Sequence, residues 1–110
     1  MATRTAQAVT VGGVTPTYHA ATATTGDKVL ADSRTWVHFK NGSGGSITVT
    51  VSGAGQTSYG VDNPDKVYTI GTGAEQLIPM LPEYGDPADG RLVTFVASSV
   101  TSVTFAVGRI

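Results

Sequence analysis

The sequence predicts an all-β protein, a single-domain antiparallel β-sandwich or jelly roll with an N-terminal arm. Short runs that alternate apolar and polar residues recur along the chain, and Gly, Pro, Asn and Asp separate them at close spacing. No segment keeps a 3.6-residue apolar period, and Gly and β-branched residues are spread too evenly for a long helix. The length of 110 residues is that of one domain.

Nine runs are predicted to be strands. Residues 1–26, where Thr and Ala dominate, are expected to form an arm or peripheral strands, and residues 27–110 are expected to form the core. The predicted strands span residues 5–11, 17–20, 28–31, 35–40, 47–52, 67–70, 75–78, 92–97 and 100–107.

The most regular stretch is residues 34–52. Its two alternating runs flank a Gly/Asn/Ser cluster, which is typical of a β-hairpin. Because side chains alternate along a strand, Val37 and Phe39 are expected to share the buried face with the aliphatic residues of the second run. Trp36 and His38 are then expected on the opposite face.

Two later regions depart from simple alternation. The runs 92–97 and 100–107 are nearly continuous in apolar residues, which indicates burial on both faces. Three prolines break residues 77–89 into a poorly laddered connection, since proline cannot donate a ladder hydrogen bond. A connection of this length is usually a binding loop or a segment ordered by a partner.

Composition narrows the classes of partner. Only 14% of the residues are charged, the net charge is −1 and the pI is near 6.0, so the chain lacks the basic footprint that nucleic acid requires. A surface with few charges and many hydroxyls can be buried against partners without stranding ions, which favours stable assembly. No apolar run has the length of a signal peptide core or a membrane span, so we expect synthesis in a cytoplasm and no membrane partner.

No residue pattern points to catalysis, a metal or a cofactor. Cysteine is absent, so there is no thiolate ligand or nucleophile. A hydrolase would need His19 or His38 close to an acid and a nucleophile, and the spacing of the chain supplies neither. The run Asp86-Pro-Ala-Asp89-Gly90 places two carboxylates beside a glycine, but the distal ligand of a calcium loop is missing and a tight turn explains the residues better.

The aromatic residues leave two interpretations open. Exposed rings on a β-sandwich bind sugars by stacking on the apolar face of a pyranose, so Trp36 with a tyrosine would suit a carbohydrate-binding module. The single Trp of a small domain more often lies in the core or at a subunit contact, because Trp and Tyr are enriched there.

Five stretches carry a resemblance to a known class of protein: Thr5-Ala-Gln-x-Val-Thr, Gly13-Val-Thr-Pro-Thr-Tyr-His-Ala-Ala21, Arg34-Thr-Trp-Val-His-Phe-Lys-Asn-Gly-Ser43, Asp86-Pro-Ala-Asp-Gly-Arg-Leu-Val-Thr-Phe95 and Val103-Thr-Phe-Ala-Val107. On these stretches the chain resembles small all-β virion structural proteins of tailed bacteriophages, in particular capsid decoration (cement) proteins.

The resemblance implies a structural protein and not an enzyme. Such a protein is made in the host cytoplasm, joins the assembled head as a homo-oligomer, commonly a trimer, and bridges subunits of the major capsid protein at the virion surface. It strengthens the shell without a cofactor, nucleic acid or membrane.

The arm and the proline-rich connection are the main expected contacts in that role, and the outward face of the 34–52 stretch is a third. The arm would add as a strand to the edge of a neighbour, because an exposed strand edge is a template for pairing. The proline-rich connection and the outward face of the 34–52 stretch would supply the other contacts. The candidate contact residues are Thr5, Gln7, Val9, Val11, Trp36, Leu81 and Tyr84.

Overall fold

A computed structural model describes residues 2–53, 55–56 and 58–110. In these residues the chain forms ten strands and two short 3₁₀ helices, at Pro82–Tyr84 and Pro87–Asp89. The strands are β1 Ala2–Arg4, β2 Gln7–Ala8, β3 His19–Ala20, β4 Asp27–Leu30, β5 Thr35–Asn41, β6 Ile47–Val51, β7 Lys66–Ile70, β8 Glu75–Pro79, β9 Leu92–Ala97 and β10 Val103–Arg109.

The strands build two sheets. The first sheet has the order β1-β4-β9-β6-β7, and the second has the order β2-β10-β5-β8 with β3 also paired to β10. The all-β fold class is thus confirmed. The sheets are mixed and not wholly antiparallel, because β1 pairs in parallel with β4 and β2 pairs in parallel with β10.

The core lies between the sheets and follows from the alternation of the strands. In β5 and β6 every second side chain is buried. Phe39 and Phe105 of the second sheet meet Phe95 of the first, with ring centroids 5.2 to 5.7 Å apart and edge contacts between the sheets. Around these rings lie the buried aliphatic residues Val29, Val37, Ile47, Val49, Val51, Ile70, Ile78, Met80, Val93, Val103 and Val107.

The predicted hairpin over residues 34–52 is wrong. β5 pairs with β10 and β8, whereas β6 pairs with β7 and β9, so the chain crosses from the second sheet to the first between them. The predicted parity is right, because both strands bury the expected residues. The alternation of apolar and polar residues does not distinguish a hairpin within one sheet from a crossing between two sheets. In both arrangements every second side chain points toward the core.

A buried asparagine fixes this crossing. The Nδ2 of Asn41 donates to the carbonyls of Gly45 at 2.9 Å, Ile70 at 3.1 Å and Gly71 at 3.1 Å. Its Oδ1 accepts from the backbone N of Ser43 at 3.0 Å. One side chain therefore joins the end of β5, the crossing and the end of β7.

The two late apolar runs differ from each other. β10 is buried at nearly every position, as predicted, but it begins at Val103. β9 buries only alternate residues, so burial on both of its faces is wrong. The outward side chains of β9 remain half-buried, which explains why they too are apolar or Thr.

The N-terminal residues pair within their own chain. β1 lies on the outer edge of the first sheet, with Thr3 opposite Lys28, and β2 lies on the outer edge of the second, with Gln7 opposite Gly108. The chain therefore crosses between the sheets after Arg4 and closes one side of the sandwich. A single strand over residues 5–11 is wrong, because the ladder that starts at Gln7 ends at Ala8.

The proline-rich segment is more regular than predicted. β8 continues to Pro79 and forms the other edge of the second sheet. Both 3₁₀ helices begin with a proline, and Asp86 caps the second by accepting from the backbone N of Ala88 at 2.9 Å. Neither helix among the described residues has the length or apolarity to cross a membrane.

Candidate functional site: the outer face of the second sheet

The face of β5 that points away from the core carries Trp36, His38 and Lys40, all half-buried. The alternation predicts this orientation. Opposite Trp36 on the central strand β10 lies Gly108, and opposite His38 lies Ala106. Large side chains on β5 thus face very small ones on β10, which leaves room above the sheet beside Trp36.

The indole of Trp36 lies directly on Gly108. A Cβ atom added at position 108 would lie 2.3 Å from Cη2 of Trp36 and 2.7 Å from Cζ2. Any larger residue would have to displace the ring. Gly108 therefore allows Trp36 to lie flat along β10 and shield the backbone of that strand.

A cleft of about 210 Å³ opens beside the indole. We call it the Trp36 cleft; its wall is formed by Gln7, Val9, Val14, Pro16, Trp36, Ala106, Val107 and Gly108. Apart from the indole N–H of Trp36, the only polar side-chain group in this set is the amide of Gln7. The cleft is therefore an apolar recess with a tryptophan as one wall, a shape that accepts an apolar side chain of a partner.

We call residues 9–17, the loop that borders the cleft, the valine loop. The side chain of Gln7 connects the two ends of this loop, because Nε2 donates to the carbonyl of Thr15 at 3.1 Å and Oε1 accepts from the backbone N of Thr17 at 2.7 Å. A turn at the tip is closed by the backbone N of Gly13, which donates to the carbonyl of Thr10 at 2.9 Å. Gly13 has φ +80°, a conformation that favours glycine.

The valine loop presents apolar side chains to solvent. Val11 at its tip is fully exposed, and Val9 and Val14 are 38% and 42% exposed. No residue of the loop is charged. An ordered, uncharged loop with three exposed valines has the composition of the centre of a protein contact.

A polar cluster anchors Tyr18, the residue that follows the valine loop, to the outer face of the second sheet. The hydroxyl of Tyr18 lies 3.1 Å from Nδ1 of His38, whose Nε2 lies 2.7 Å from Oε1 of Glu75. Nζ of Lys40 lies 4.1 Å from the centroid of the Tyr18 ring. His38 thus meets an acid and a hydroxyl, which the sequence does not reveal.

This cluster has the connectivity of an acid–base relay, but its surroundings differ from those of a hydrolytic site. The hydroxyl belongs to a phenol under a cation, and His38 does not line the Trp36 cleft. What the contacts do is anchor Tyr18. The other histidine, His19, packs its ring 5.6 Å from that of Phe105, and burial together with the positive charge of Arg4 lowers its pKa.

The predicted contact residues fall into three places. Gln7, Val9 and Trp36 meet in the Trp36 cleft, and Val11 projects beside it. Thr5 lines a different cleft between the sheets.

Leu81 and Tyr84 line neither cleft and lie at the first 3₁₀ helix. Tyr84 packs against the core, and its hydroxyl lies 3.2 Å from that of Tyr68 on β7. Burial and this hydrogen bond raise the pKa of Tyr68 to about 12. Tyr84 therefore has a packing role within the chain.

Sequence reasoning did not single out five residues that line the Trp36 cleft, or Tyr18 in the polar cluster; the five are Val14, Pro16, Ala106, Val107 and Gly108. Val14 and Pro16 carry a detectable signal, since they are apolar residues in a Gly-rich segment outside any alternating run. Tyr18 stands out in the sequence only as an aromatic residue. Gly108 carries no signal, because its role depends on lying opposite Trp36.

The aromatic rings bear on the carbohydrate alternative. Among the described residues the aromatic pairs meet at tilted or T-shaped angles, as Tyr18 and His38 do at 63°, and none of the pairs includes Trp36. Two coplanar rings, the arrangement expected of a sugar platform, are not among these pairs. Sugar binding stays a prediction.

Neither a metal centre nor a known relative assigns a role to this face. The described residues contain no group of three or more His, Cys, Asp or Glu placed to hold a metal ion. No protein-family model matches the chain, and searches of curated proteins and of solved structures find no match either. What the chain does must therefore be inferred from its own residues and from the outer face of the second sheet.

Proposed function

We propose that the protein is a virion structural protein of a tailed phage, a capsid decoration protein that binds the assembled head as an oligomer and bridges capsid subunits. The phage context comes from the sequence resemblance. The observation that carries a binding role is the valine loop, an ordered apolar projection beside the Trp36 cleft.

The loop is prepared for a contact in two ways. Burial of its valines stabilises a complex by about 25 cal/mol for each Å² of apolar surface removed from water. The hydrogen bonds from Gln7 already fix the base of the loop, so little further ordering is needed when a partner binds. An apolar side chain of the partner can enter the Trp36 cleft at the same time.

The small size of this surface supports an oligomer. A stable contact involves about 20–30 residues of each partner, whereas the valine loop and the Trp36 cleft together comprise 14 residues. Several copies that engage a shell together raise the effective concentration of each contact. A trimer on a capsid lattice, the arrangement that the resemblance implies, uses this gain.

The test compares Val11→Asp with Val67→Asp. Val67 is 51% exposed on β7 in the opposite sheet, so the two variants carry the same change at exposed positions. Empty shells are assembled from the major capsid protein of the phage that encodes the chain, and bound protein is measured by co-sedimentation. We expect wild type and Val67→Asp to co-sediment and Val11→Asp to lose at least about 90% of binding, since a buried unpaired carboxylate is costly.

The oligomeric state is measured by sedimentation equilibrium. A wild-type protein that stays monomeric and does not bind the shells would end the decoration proposal. Equal binding by Val11→Asp and wild type would move the contact away from the valine loop.

Carbohydrate binding is the alternative, and it has a separate readout. The amide of Gln7 is already engaged by Thr15 and Thr17, and the other polar side-chain group of the Trp36 cleft is the indole N–H of Trp36. The hydroxyls of a sugar would therefore find few partners there. A glycan that quenches the fluorescence of Trp36 would favour the alternative, whereas a glycan array without hits would remove it.

A further inference from the structure

A second cleft lies between the sheets on the side that the N-terminal residues close. Its volume is about 520 Å³, within the range of small-ligand sites. Its apolar walls include Ala6, Leu30 and Leu92, and Arg4 and Arg109 line it as well. We call it the arginine cleft. It shares no lining residue with the Trp36 cleft, so a ligand bound in it is independent of the proposed function.

The cleft has an excess of positive charge. Asp32 is its one acidic lining residue, and its Oδ2 accepts from Nη2 of Arg109 at 3.1 Å. Its Oδ1 accepts from the backbone N of Arg34 at 3.0 Å. Both hydrogen bonds lower the pKa of Asp32, and the one from the backbone of Arg34 has the larger effect. The carboxylate is therefore charged and neutralises one guanidinium only.

The guanidinium of Arg4 has one nitrogen without an acceptor among the described residues. Nε of Arg4 is buried and has no hydrogen-bond partner among the described residues. A buried donor of this kind is normally paired, because an unpaired one forfeits the hydrogen bond that it makes in water. Arginine cannot lose its charge to avoid this cost. An anion bound in the cleft beside Arg4 would offset this cost.

We propose that the arginine cleft binds a carboxylate carried on an apolar body, with Arg4 as the partner of the carboxylate. The planar fork of a guanidinium matches the two oxygens of a carboxylate. One excess positive charge balances one negative charge, and Leu30 and Leu92 enclose the apolar part of the ligand. A dianion such as phosphate would leave a charge unpaired against these walls.

The test uses a matched pair of probes, 4-phenylbutyrate and 4-phenylbutan-1-ol, which share the apolar body and differ in the charged group. Binding is followed by ¹⁵N–¹H correlation spectra of the full chain. We expect the acid to shift the amides of Arg4, Leu30 and Leu92, and the alcohol to leave them in place. Equal shifts with both probes, or none with either, would overturn the proposal.

Two variants assign the contact. Arg4→Gln is expected to lower the affinity for 4-phenylbutyrate by about tenfold or more, the effect of losing a charge-assisted hydrogen bond. Arg91→Gln, at an exposed position, is expected to leave this affinity unchanged. If Arg4→Gln does not fold, Arg4→Lys replaces it, because it keeps the charge and lacks Nε. Unchanged affinity in the folded Arg4 variant would refute the role of this residue.

A last experiment identifies the source of the carboxylate. The capped peptide Val-Glu-Leu is compared with Val-Gln-Leu by the same spectra. Tighter binding of the glutamate peptide than of 4-phenylbutyrate supports an acidic side chain of a partner protein as the natural occupant, and the reverse order supports a free organic acid. Loss of the distinction between the glutamate and glutamine peptides, with no binding of the free acid, would contradict the proposal.

Discussion

Gly108 determines where the tryptophan lies. The strand β10 is buried at nearly every position, and at Gly108 its cover is the indole of Trp36. In the sequence this glycine looks like a weak point in an apolar strand. The need for a glycine at position 108 follows only from the strand register, which places Gly108 opposite Trp36.

We predict that Gly108→Ala destabilises the protein by about 1–3 kcal/mol, the usual cost of overpacking. The added Cβ would overlap the indole, so the tryptophan has to move and its emission should shift to longer wavelength. Urea unfolding and fluorescence spectra measure both effects. The control is Gly44→Ala, since a Cβ at position 44 meets nothing within 4 Å. A stable Gly108→Ala with unchanged emission would contradict the contact.

The tyrosine pair on the first sheet predicts a loss of stability at high pH. Folding raises the pKa of Tyr68 from 10 to about 12, so the native state favours its protonated form. This contribution is complete below pH 10 and is lost as the pH rises from 10 toward 12, because the unfolded state then releases the proton first.

We therefore expect the difference in unfolding free energy between wild type and Tyr68→Phe to fall between pH 10 and pH 12. Urea unfolding at several pH values measures it, and Tyr59→Phe is the control, since Tyr59 is 80% exposed. A difference that stays constant with pH would show that Tyr68 titrates normally.

At the scale of the elements, the sequence predicts strands better than it predicts their partners. Six of the nine predicted runs match a strand to within one residue at each end, because alternation and turn residues are local signals. The pairing of β5 and β6 with different sheets is not local. The crossing depends on Asn41, whose three carbonyl acceptors come partly from β7 and the turn after it.

Asn41→Ala is expected to destabilise the protein by about 3 kcal/mol, because several carbonyls at a buried site lose their donor together. Asn41→Asp should cost more, since a carboxylate has no proton to give to the carbonyls of Ile70 and Gly71. Thermal unfolding measures both variants, with Ser46→Ala at an exposed position of the crossing as control. An Asn41→Ala protein as stable as wild type would show that the crossing forms without this side chain.

In the candidate site, too, local sequence signals predict some features, whereas others depend on strand pairing. Parity alone places Trp36 on the outward face, and composition makes the arm a sound candidate. That Gln7 and Val9 meet Trp36 follows from the parallel pairing of β2 with β10, for which neither strand carries a local signal. The polar cluster around His38 likewise joins residues from three separate segments.

At the scale of the whole molecule, the N-terminal residues act as one wall of the sandwich. β1 covers the edge of β4 in the first sheet, and β2 covers the edge of β10 in the second. An uncovered edge presents unpaired backbone groups that invite association. Removal of the N-terminal residues would therefore uncover an edge in each sheet.

We predict that deletion of residues 2–8 lowers the thermal midpoint and produces soluble aggregates. The edges of β4 and β10 become exposed together, and the apolar side chains behind them lose their cover. Differential scanning calorimetry and size-exclusion chromatography with light scattering measure the two effects. Val11→Asp is the control, since it changes the same part of the chain but no strand. A monomeric deletion variant with a wild-type midpoint would show that the wall is dispensable.

The parallel pair of β2 and β10 also sets an order of events during synthesis. Gln7 leaves the ribosome early, but its partner Gly108 follows 101 residues later. Until then β2 has no ladder to join, and the valine loop that Gln7 holds has no fixed base. Pairing over so long a separation is slow to form. A loop built in this way becomes ordered only once the body of the sandwich exists, so incomplete chains do not present it in its final shape.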